Sequence, residues 1–187
     1  WFGASRLLIF YWYNLLMTEK ALVMGAGGFI GSHMVSRLNQ EGYTTLGVDI
    51  KNPEFSDSDA HEFYLLDLTE KTNIDKILIE HEDINEIYQY AADMGGAGFI
   101  FTGDNDADIM HNSSLINLNL LRSLIENYSQ KLPKVFYSSS ACIYPEEIQE
   151  SPDNPGLKES DAYPANPDSE YGWEKLFSER LYLSYMK

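Results

Sequence analysis

The chain is poor in residues that several kinds of function require. Its single cysteine excludes an internal disulfide and suits a reducing compartment, so we expect a cytoplasmic protein. Only 13 lysines and arginines stand against 29 aspartates and glutamates, which leaves no basic patch that could release counterions from nucleic acid. The four scattered histidines lack the spacing of metal ligands, and we assign no metal.

Long apolar runs are scarce as well. The one candidate, residues 1–16, is too short to span a bilayer comfortably and has no small-residue cleavage site of a signal peptide. Because it also lacks an initiating methionine, we expect Met17 to be the natural start and residues 1–16 to be a non-native extension outside the fold. A membrane anchor is the alternative. Residues 17–187 are long enough for one α/β domain with a proper core.

A glycine-rich turn separates an apolar segment from a helical pattern. Residues 21–24 predict a buried parallel strand, and a helix is predicted to follow the glycines as far as residue 40. In the phosphate-binding fingerprint of dinucleotide-binding proteins, Gly25 would permit the tight turn, Gly28 the approach of a pyrophosphate, and Gly31 the packing of the helix. The spacing is GxxGxxG rather than GxGxxG, so a glycine turn that binds nothing is the alternative. We assign this turn to the cofactor, at Gly25, Gly28, Phe29, Ile30 and Gly31.

Acidic residues follow the next two predicted strands. Asp49 comes 18 positions after Gly31, close to where a ribose-binding acid is expected. Its carboxylate can accept hydrogen bonds from the 2′-hydroxyl of NAD and would repel the 2′-phosphate of NADP; a simple strand-end turn is the alternative. Asp67 and Leu68, after the strand at residues 62–66, are assigned to the adenine end of the cofactor.

A tyrosine and a lysine near the end of the chain carry acid–base chemistry. Tyr171 and Lys175 are four residues apart, so they lie on one face of a helix, where the ammonium favours the tyrosinate and a serine hydroxyl can bond the same oxygen. Bringing the pKa of a phenol from ~10 to ~7 requires roughly 4 kcal/mol, more than an exposed ion pair supplies. A cationic cofactor ring would make up the difference. The YxxxK pattern alone also arises by chance on surface helices.

The remaining pattern alternates helices and strands. Helices are predicted at residues 69–80 and 108–128, strands at 86–90 and 134–137, and a last helix from about Ser169. For the long helix we expect a core face made of Met110, Leu118, Leu121, Leu124 and Ile125. This alternation predicts an α/β fold with a doubly wound parallel sheet of the Rossmann type.

Four segments together resemble a known family. GAGGFIGSH, AADMGGAGFI, SSSACIYP and YGWEK are similar to motifs of the extended short-chain dehydrogenase/reductase superfamily, and within it of the GDP-mannose 3,5-epimerases, which use NAD. The match runs from about Lys20 to the C-terminus. Family members continue with a substrate-binding lobe that carries a second proton-transfer residue, a lysine, which no residue here can be assigned to replace. We therefore expect this chain alone to bind NAD weakly and not to epimerise GDP-mannose, and the full-length protein to be a homodimer.

The resemblance implies a role for each site residue. Tyr171 would take the proton from a hexose C4 hydroxyl, and Ser140 would position the C4 oxygen. Lys175 would keep Tyr171 ionised and bond the nicotinamide ribose, so Tyr171 and Lys175 are also assigned to the cofactor. The resulting ketone acidifies C3 and C5, where Cys142 would act as one of two acid–base groups. For this cysteine the alternative is a small buried apolar residue at a strand end. Further implied contacts are those of Ala91 with NAD, and of Gly95, Ser140, Ala141 and Cys142 with the substrate.

Three hypotheses remain for the function. The first is the 3,5-epimerase; the second keeps the fold but changes the reaction to that of a 4-epimerase or a 4,6-dehydratase. A dehydratase would show Thr-Asp-Glu in place of residues 140–142, and a 4-epimerase commonly has threonine at the position of Cys142. The third hypothesis is an inactive NAD-binding module. Gly95 has its own alternative, a plain turn glycine.

Overall fold

A five-stranded sheet organises the chain. The computed structural model describes residues 18–128, 131–149 and 156–186. Within these residues the strand order is β3-β2-β1-β4-β5, and β1 pairs in parallel with β2 and β4, as does β2 with β3. The strands are Lys20–Met24 (β1), Thr44–Asp49 (β2), Glu62–Leu65 (β3), Ile84–Gln89 (β4) and Lys134–Tyr137 (β5). This order reverses direction at β1, which confirms the predicted Rossmann-type parallel sheet.

The helices fall where the sequence predicts them, within a few residues. The sequence does not predict the π-helical turn at Ile109–Ser113, which joins two α-helical segments, or the short α-helices at Ala97–Ile100, Asp106–Asp108 and Glu146–Gln149. The α-helices are Phe29–Gln40 (α1), Lys71–Glu80 (α2), Ala97–Ile100 (α3), Asp106–Asp108 (α4), Ser114–Asn127 (α5), Glu146–Gln149 (α6) and Glu170–Tyr185 (α7). Two 3-10 turns, Ala141–Ile143 and Glu159–Ala162, interrupt the segment between β5 and α7.

The described residues form two compact units. The first contains the residues up to Leu66 with His81–Tyr90 and Pro133–Phe136; the second contains Asp67–Glu80, Ala91–Leu132 and the residues from Tyr137 onward. In the first unit, β1 is buried from Ala21 onward, because strands pair with it on both sides. Helix α1 ends at Gln40 and is followed by Gly42, whose φ of 88° is the left-handed conformation that closes helices.

The predicted core face of helix α5 is partly wrong. Leu121 and Leu124 are buried, but Leu118 and Ile125 are 39% and 51% exposed. The buried side of the helix also includes the polar residues Asn117, Asn119 and Ser123. Asn117 and Asn119 hydrogen-bond to groups in the second unit. A prediction based on apolar residues alone therefore misplaces the buried face.

Two properties of the described residues concern membranes and metal ions. None of the helices in residues 18–128, 131–149 and 156–186 is long and apolar enough to cross a membrane. In the same ranges, no three histidine, cysteine, aspartate or glutamate side chains are grouped so that they could hold a metal ion. The proposed N-terminal extension, residues 1–16, lies outside the described residues.

Candidate functional site

The glycine turn of the first unit is shaped by its main chain. Gly25 has a φ of 83°, which favours glycine, and its N–H donates to the carbonyl of Val48 at 2.8 Å. A Cβ atom on Gly31 would overlap the carbonyl oxygen of Gly25 and lie 2.7 Å from its carbonyl carbon. Both glycines therefore occupy the positions that the sequence predicts, one in the turn and one where the helix meets it.

The N-terminus of helix α1 is suited to an anion. Gly28 is its N-cap and provides no side-chain acceptor, and no acidic residue stands in the first turn. The first N–H groups of a helix need acceptors from outside the helix, and they carry partial positive charge. Phe29 and Ile30 lie at this end with exposures of 76% and 58%. A phosphate group would satisfy these N–H groups.

Asp49 holds the glycine turn in place. Its Oδ2 accepts the N–H of Gly27 at 2.9 Å, and its Oδ1 accepts the N–H of Lys51 at 3.1 Å. A Cβ on Gly27 would overlap the carbonyl oxygen of Lys51, so this glycine, which sequence analysis passed over, is required for the close approach. A carboxylate oxygen can accept more than one hydrogen bond. Asp49 can therefore bind a ribose hydroxyl while it maintains the turn.

All other residues assigned to the cofactor belong to the second unit, namely Asp67, Leu68, Ala91, Tyr171 and Lys175. Asp67 is exposed, and its Oδ1 accepts the N–H and the hydroxyl of Thr69 at 2.8 and 2.7 Å, which forms a turn before helix α2. Leu68 is buried, and Ala91 is half-buried after the end of β4.

Ser140, Cys142 and Tyr171 come together in the second unit. Ser140 caps the 3-10 turn, because its Oγ accepts the N–H of Cys142 at 3.2 Å. Cys142 packs with Tyr171 in an apolar cluster that also contains Phe99, Ile100 and Ile109. A thiol, a phenol and a hydroxyl, all groups that can take part in proton transfer, thus share one small region.

Gly172 makes this approach possible. A Cβ at this position would overlap the carbonyl oxygen of Cys142 and lie 2.9 Å from both the carbonyl carbon of Cys142 and Cβ of Pro167. Helix α7 is therefore packed against the backbone of the 3-10 turn at Ala141–Ile143 at a distance that only glycine permits. No role was predicted for Gly172 from the sequence. Its position inside a helix, where glycine is intrinsically unfavourable, could have indicated a close contact.

Lys175 is buried next to two aromatic rings. Its Nζ donates to the carbonyl of Ser138 at 3.1 Å and lies 5.0 Å and 5.6 Å from the ring centroids of Tyr137 and Tyr171. These are cation–π distances. Burial lowers the pKa of the Lys175 ammonium, and the charge of Glu174 opposes that effect.

The Tyr171 phenol is harder to ionise than an ordinary tyrosine. Burial raises its pKa, hydrogen bonding with Ser140 lowers it, and negative charge on Cys142 or Glu174 would raise it further. Lys175 does not by itself bring the pKa of Tyr171 into the neutral range in this chain. The expectation that a further positive charge must be supplied is consistent with this arrangement.

The loop that follows β4 is anchored to the π-helical turn. The N–H of Asp93 donates to Oγ of Ser113 at 2.9 Å, and Nδ2 of Asn112 donates to Oδ2 of Asp93 at 2.7 Å. Gly95 is exposed two residues later, and a Cβ there would lie 2.8 Å from Cβ of Phe99. π-Turns often occur at functional sites, and this one sets the position of the predicted substrate loop.

A pocket of about 650 Å³ lies beside the 3-10 turn at Ala141–Ile143 in the second unit. Ser140 and Ala141, both assigned to the substrate, line it together with Tyr137, Tyr144 and Tyr182. The pocket thus places two predicted substrate contacts on one surface.

Known proteins similar to this chain are sugar-nucleotide epimerases. The chain is 42% identical over 170 residues to GDP-mannose 3,5-epimerase of Arabidopsis thaliana, a match that covers 90% of this chain and 43% of the relative. GDP-mannose 3,5-epimerase 1 of Oryza sativa subsp. indica is 42% identical over 167 residues, covering 88% and 42%. UDP-glucose 4-epimerase 2 of Arabidopsis thaliana is 26% identical over 181 residues, covering 88% and 47%. The chain therefore spans less than half the length of these relatives.

Solved structures show the same fold. UDP-glucose 4-epimerase from Brucella ovis in complex with NAD matches with a TM-score of 0.74 at 24% identity, over 90% of this chain and 48% of that one. The family model described as the NAD dependent epimerase/dehydratase family matches residues 21–187. The fold and this match, which spans the glycine turn and the Tyr171–Lys175 helix, establish that the chain belongs to the NAD dependent epimerase/dehydratase family.

Proposed function

We propose that this chain is the NAD-binding part of a nucleotide-sugar epimerase, and that its reaction is the 3,5-epimerisation of GDP-mannose through a 4-keto sugar. The observation that carries the proposal is the grouping of Cys142 with Tyr171 and Ser140 in the second unit. The 42% identity to the two GDP-mannose 3,5-epimerases supports the choice of substrate.

The residues present fit NAD. The N–H groups at the start of helix α1 lack a side-chain cap and would hold the pyrophosphate, and the Asp49 carboxylate would accept the adenosine ribose hydroxyls. A 2′-phosphate would stand against that carboxylate, so we propose NAD rather than NADP. When bound, NAD supplies a hydride acceptor for the sugar C4 and returns the hydride at the end of the reaction.

The protein groups move protons. Tyr171 accepts the proton of the C4 hydroxyl, and the nearby Lys175 ammonium stabilises the phenolate that this step requires. Ser140, whose hydrogen bonding lowers the pKa of Tyr171, orients the C4 oxygen. The carbonyl that forms at C4 acidifies the C–H bonds at C3 and C5, because the carbanion is delocalised as an enolate.

Cys142 distinguishes the proposed reaction from 4-epimerisation. A 4-epimerase needs only the reversible loss of a hydride from C4 and of the proton of the C4 hydroxyl. Inversion at C3 and C5 needs, in addition, an acid–base group beside those carbons. A thiol has a pKa of ~8.5, close enough to neutrality for proton exchange. Its packing against Tyr171, which acts at C4, is consistent with a group that acts at the neighbouring carbons.

Deuterium exchange tests the proposal. Protein expressed from the complete reading frame is incubated with GDP-mannose in D₂O, and the sugar is examined by proton NMR. We expect deuterium to enter at C3 and C5. The Cys142→Ser variant should lose this exchange while it binds NAD with unchanged affinity, because Cys142 has no part in the glycine turn.

A second substrate separates the alternatives. If the protein inverts C4 of UDP-glucose and exchanges no proton of GDP-mannose, the reaction is 4-epimerisation and the proposal of a 3,5-epimerase is wrong. If neither sugar reacts and NAD binds normally, the chain is an inactive binding module.

A further inference from the structure

Helix α7 buries an acidic side chain immediately before Lys175. Glu174 is 0% exposed, and one oxygen, Oε1, accepts hydrogen bonds from Oγ of Ser178 at 2.6 Å and Nδ2 of Asn117 at 3.3 Å. The other oxygen, Oε2, has no hydrogen-bond partner in the part of the chain that the structure describes. A carboxylate buried with one oxygen unpaired is strongly disfavoured, whereas a protonated carboxyl is tolerated. Burial accordingly raises the pKa of the Glu174 carboxyl.

Asn117 connects this carboxyl to the neighbouring helix. Its Nδ2 lies 3.0 Å from the carbonyl oxygen of Ser113 and 3.1 Å from Oγ of Ser178, and its Oδ1 accepts the hydroxyl of Tyr182 at 3.0 Å. Residues 174, 178 and 182 succeed one another at intervals of four, along one side of helix α7. These polar contacts join α5 to α7, the helix that carries Tyr171 and Lys175.

The charge on Glu174 matters because of its neighbours. The charged or titratable side chains that its charge affects are Lys175, Tyr137, Tyr171 and Tyr182. An ionised Glu174 would raise the pKa of Tyr171 and offset the positive charge of Lys175, which opposes phenolate formation. A neutral carboxyl leaves the ammonium as the dominant charge beside the phenol.

We propose that Glu174 is a positioning residue that functions in its neutral, protonated form. Through Asn117 and Ser178 it holds helix α7 against α5, and by carrying no charge it leaves Lys175 to act on Tyr171. The inference rests on the proposed function, because it assigns Glu174 to the same proton-transfer step.

The first test measures protonation directly and needs no activity. Protein from the complete reading frame is labelled with ¹³C at the glutamate side-chain carboxyl carbon, and the Glu174 resonance is identified by its loss in Glu174→Gln. We expect it to report a protonated carboxyl well above the pH at which exposed glutamates titrate, ~4.3. If the Glu174 carboxyl titrates in the same pH range as exposed glutamates, the inference is wrong.

The second test uses the tyrosine. With ¹³C at the tyrosine ζ carbon, and Tyr171→Phe to identify the resonance, the chemical shift of Tyr171 at neutral pH should be the same in wild type and Glu174→Gln, because a neutral amide replaces a neutral acid. A change of that shift in Glu174→Gln that Glu170→Gln does not produce would mean that the wild-type carboxyl is ionised at neutral pH, which contradicts the proposal. Glu170→Gln is the matched control, because Glu170 is an exposed acid on the same helix.

The third test measures isotope exchange with GDP-mannose. Glu174→Gln should keep the rate within about twofold, whereas Glu174→Ala should lower it by up to roughly 100-fold, the cost of small misplacements of catalytic groups. Equal rates for alanine and glutamine variants overturn the positioning role. If Glu174→Ala does not fold, Ser178→Ala replaces it, since it removes one bond to Oε1. If wild-type protein shows no exchange, the proposed function fails, and the two NMR titrations still decide the charge state of Glu174.

Discussion

The glycine turn of the first unit and helix α7 of the second are built in different ways. The turn is determined by main-chain geometry: Gly25 has a left-handed φ, and Gly31 lies against the backbone of Gly25. Helix α7 is determined by buried side-chain chemistry, with Glu174 and Lys175 0% and 4% exposed. The turn should therefore be sensitive to added atoms, and the helix to changes of charge and hydrogen bonding.

Alanine at Gly31 is expected to have the largest effect. The new Cβ would meet the main chain of Gly25 and Ala26, which cannot rotate away as a side chain could. We expect the free energy of unfolding to fall by about 3 kcal/mol, the upper range for overpacked interiors, and NAD binding to be lost. Urea unfolding and titration calorimetry measure the two quantities.

Gly98→Ala is the control for that substitution, because a Cβ there has no atom within 4 Å among the described residues. Normal NAD binding by Gly31→Ala would show that helix α1 can move without loss of the phosphate site. The glycine turn would then not be sensitive to added atoms in the way that its main-chain geometry indicates.

Alanine at Gly172 applies the same change to the second region. Its Cβ would meet the backbone of Cys142 and push helix α7 away from the 3-10 turn that contains this cysteine. We expect deuterium exchange into GDP-mannose to fall by up to about 100-fold, with NAD affinity nearly unchanged. The same Gly98→Ala control applies. Exchange at the wild-type rate would mean that the close contact between α7 and Cys142 is not needed for proton transfer.

The sequence reveals the first region more completely than the second. The strand, the turn glycines and Asp49 lie within 30 residues of one another, and their roles follow from local geometry and fixed spacing. Even there, the hydrogen bond from Gly27 to Asp49 could not be foreseen, since spacing does not show which N–H a carboxylate will meet.

In the second region the decisive contacts are distant in sequence. Asn117 and Glu174 are 57 positions apart, and nothing in either segment indicates that they meet. The predicted apolar face of α5 is partly wrong for the same reason: Asn117 and Asn119 are buried because they hydrogen-bond to groups that are distant in sequence. Local patterns identified Tyr171 and Lys175 as a pair, but not the buried groups that determine their charge and orientation.

Substitutions of Asp49 test how far the turn depends on one side chain. Asp49→Ala leaves the N–H groups of Gly27 and Lys51 without their acceptor, at a cost of about 1–3 kcal/mol for the buried N–H of Gly27 and less for that of Lys51, which water can reach. We expect NAD to bind more weakly and the preference over NADP to disappear, because the carboxylate no longer opposes a 2′-phosphate. Asp49→Asn keeps one oxygen and should be intermediate. Retention of the preference in Asp49→Ala would assign discrimination to another residue.

The pH dependence of stability should distinguish helix α7 from the turn. Because the pKa of Glu174 is raised on folding, its stabilising effect is complete below the unfolded pKa, ~4.3, and is lost as the pH rises through the folded pKa. The slope contributed by this group cannot exceed about 1.36 kcal/mol per pH unit. Between the unfolded and the folded pKa of Glu174, the free energies of unfolding of wild type and Glu174→Gln should therefore change differently with pH. Glu170→Gln should follow wild type. Parallel curves for all three proteins would show that the carboxyl does not change its pKa on folding.

The smallest expected effect concerns the ring beside Lys175. Tyr137→Leu removes the aromatic face 5.0 Å from Nζ, and Tyr137→Phe keeps it, so the leucine variant should be less stable by about 1 kcal/mol. Tyr137 also stacks on Tyr182, and repeating both substitutions in Lys175→Met separates that contact from the cation–π interaction. If the difference between leucine and phenylalanine persists in the methionine background, the ring packs on Tyr182 alone. The Ser138 carbonyl would then be the main support of the buried ammonium, and Lys175, like the glycine turn, would be positioned by main-chain atoms.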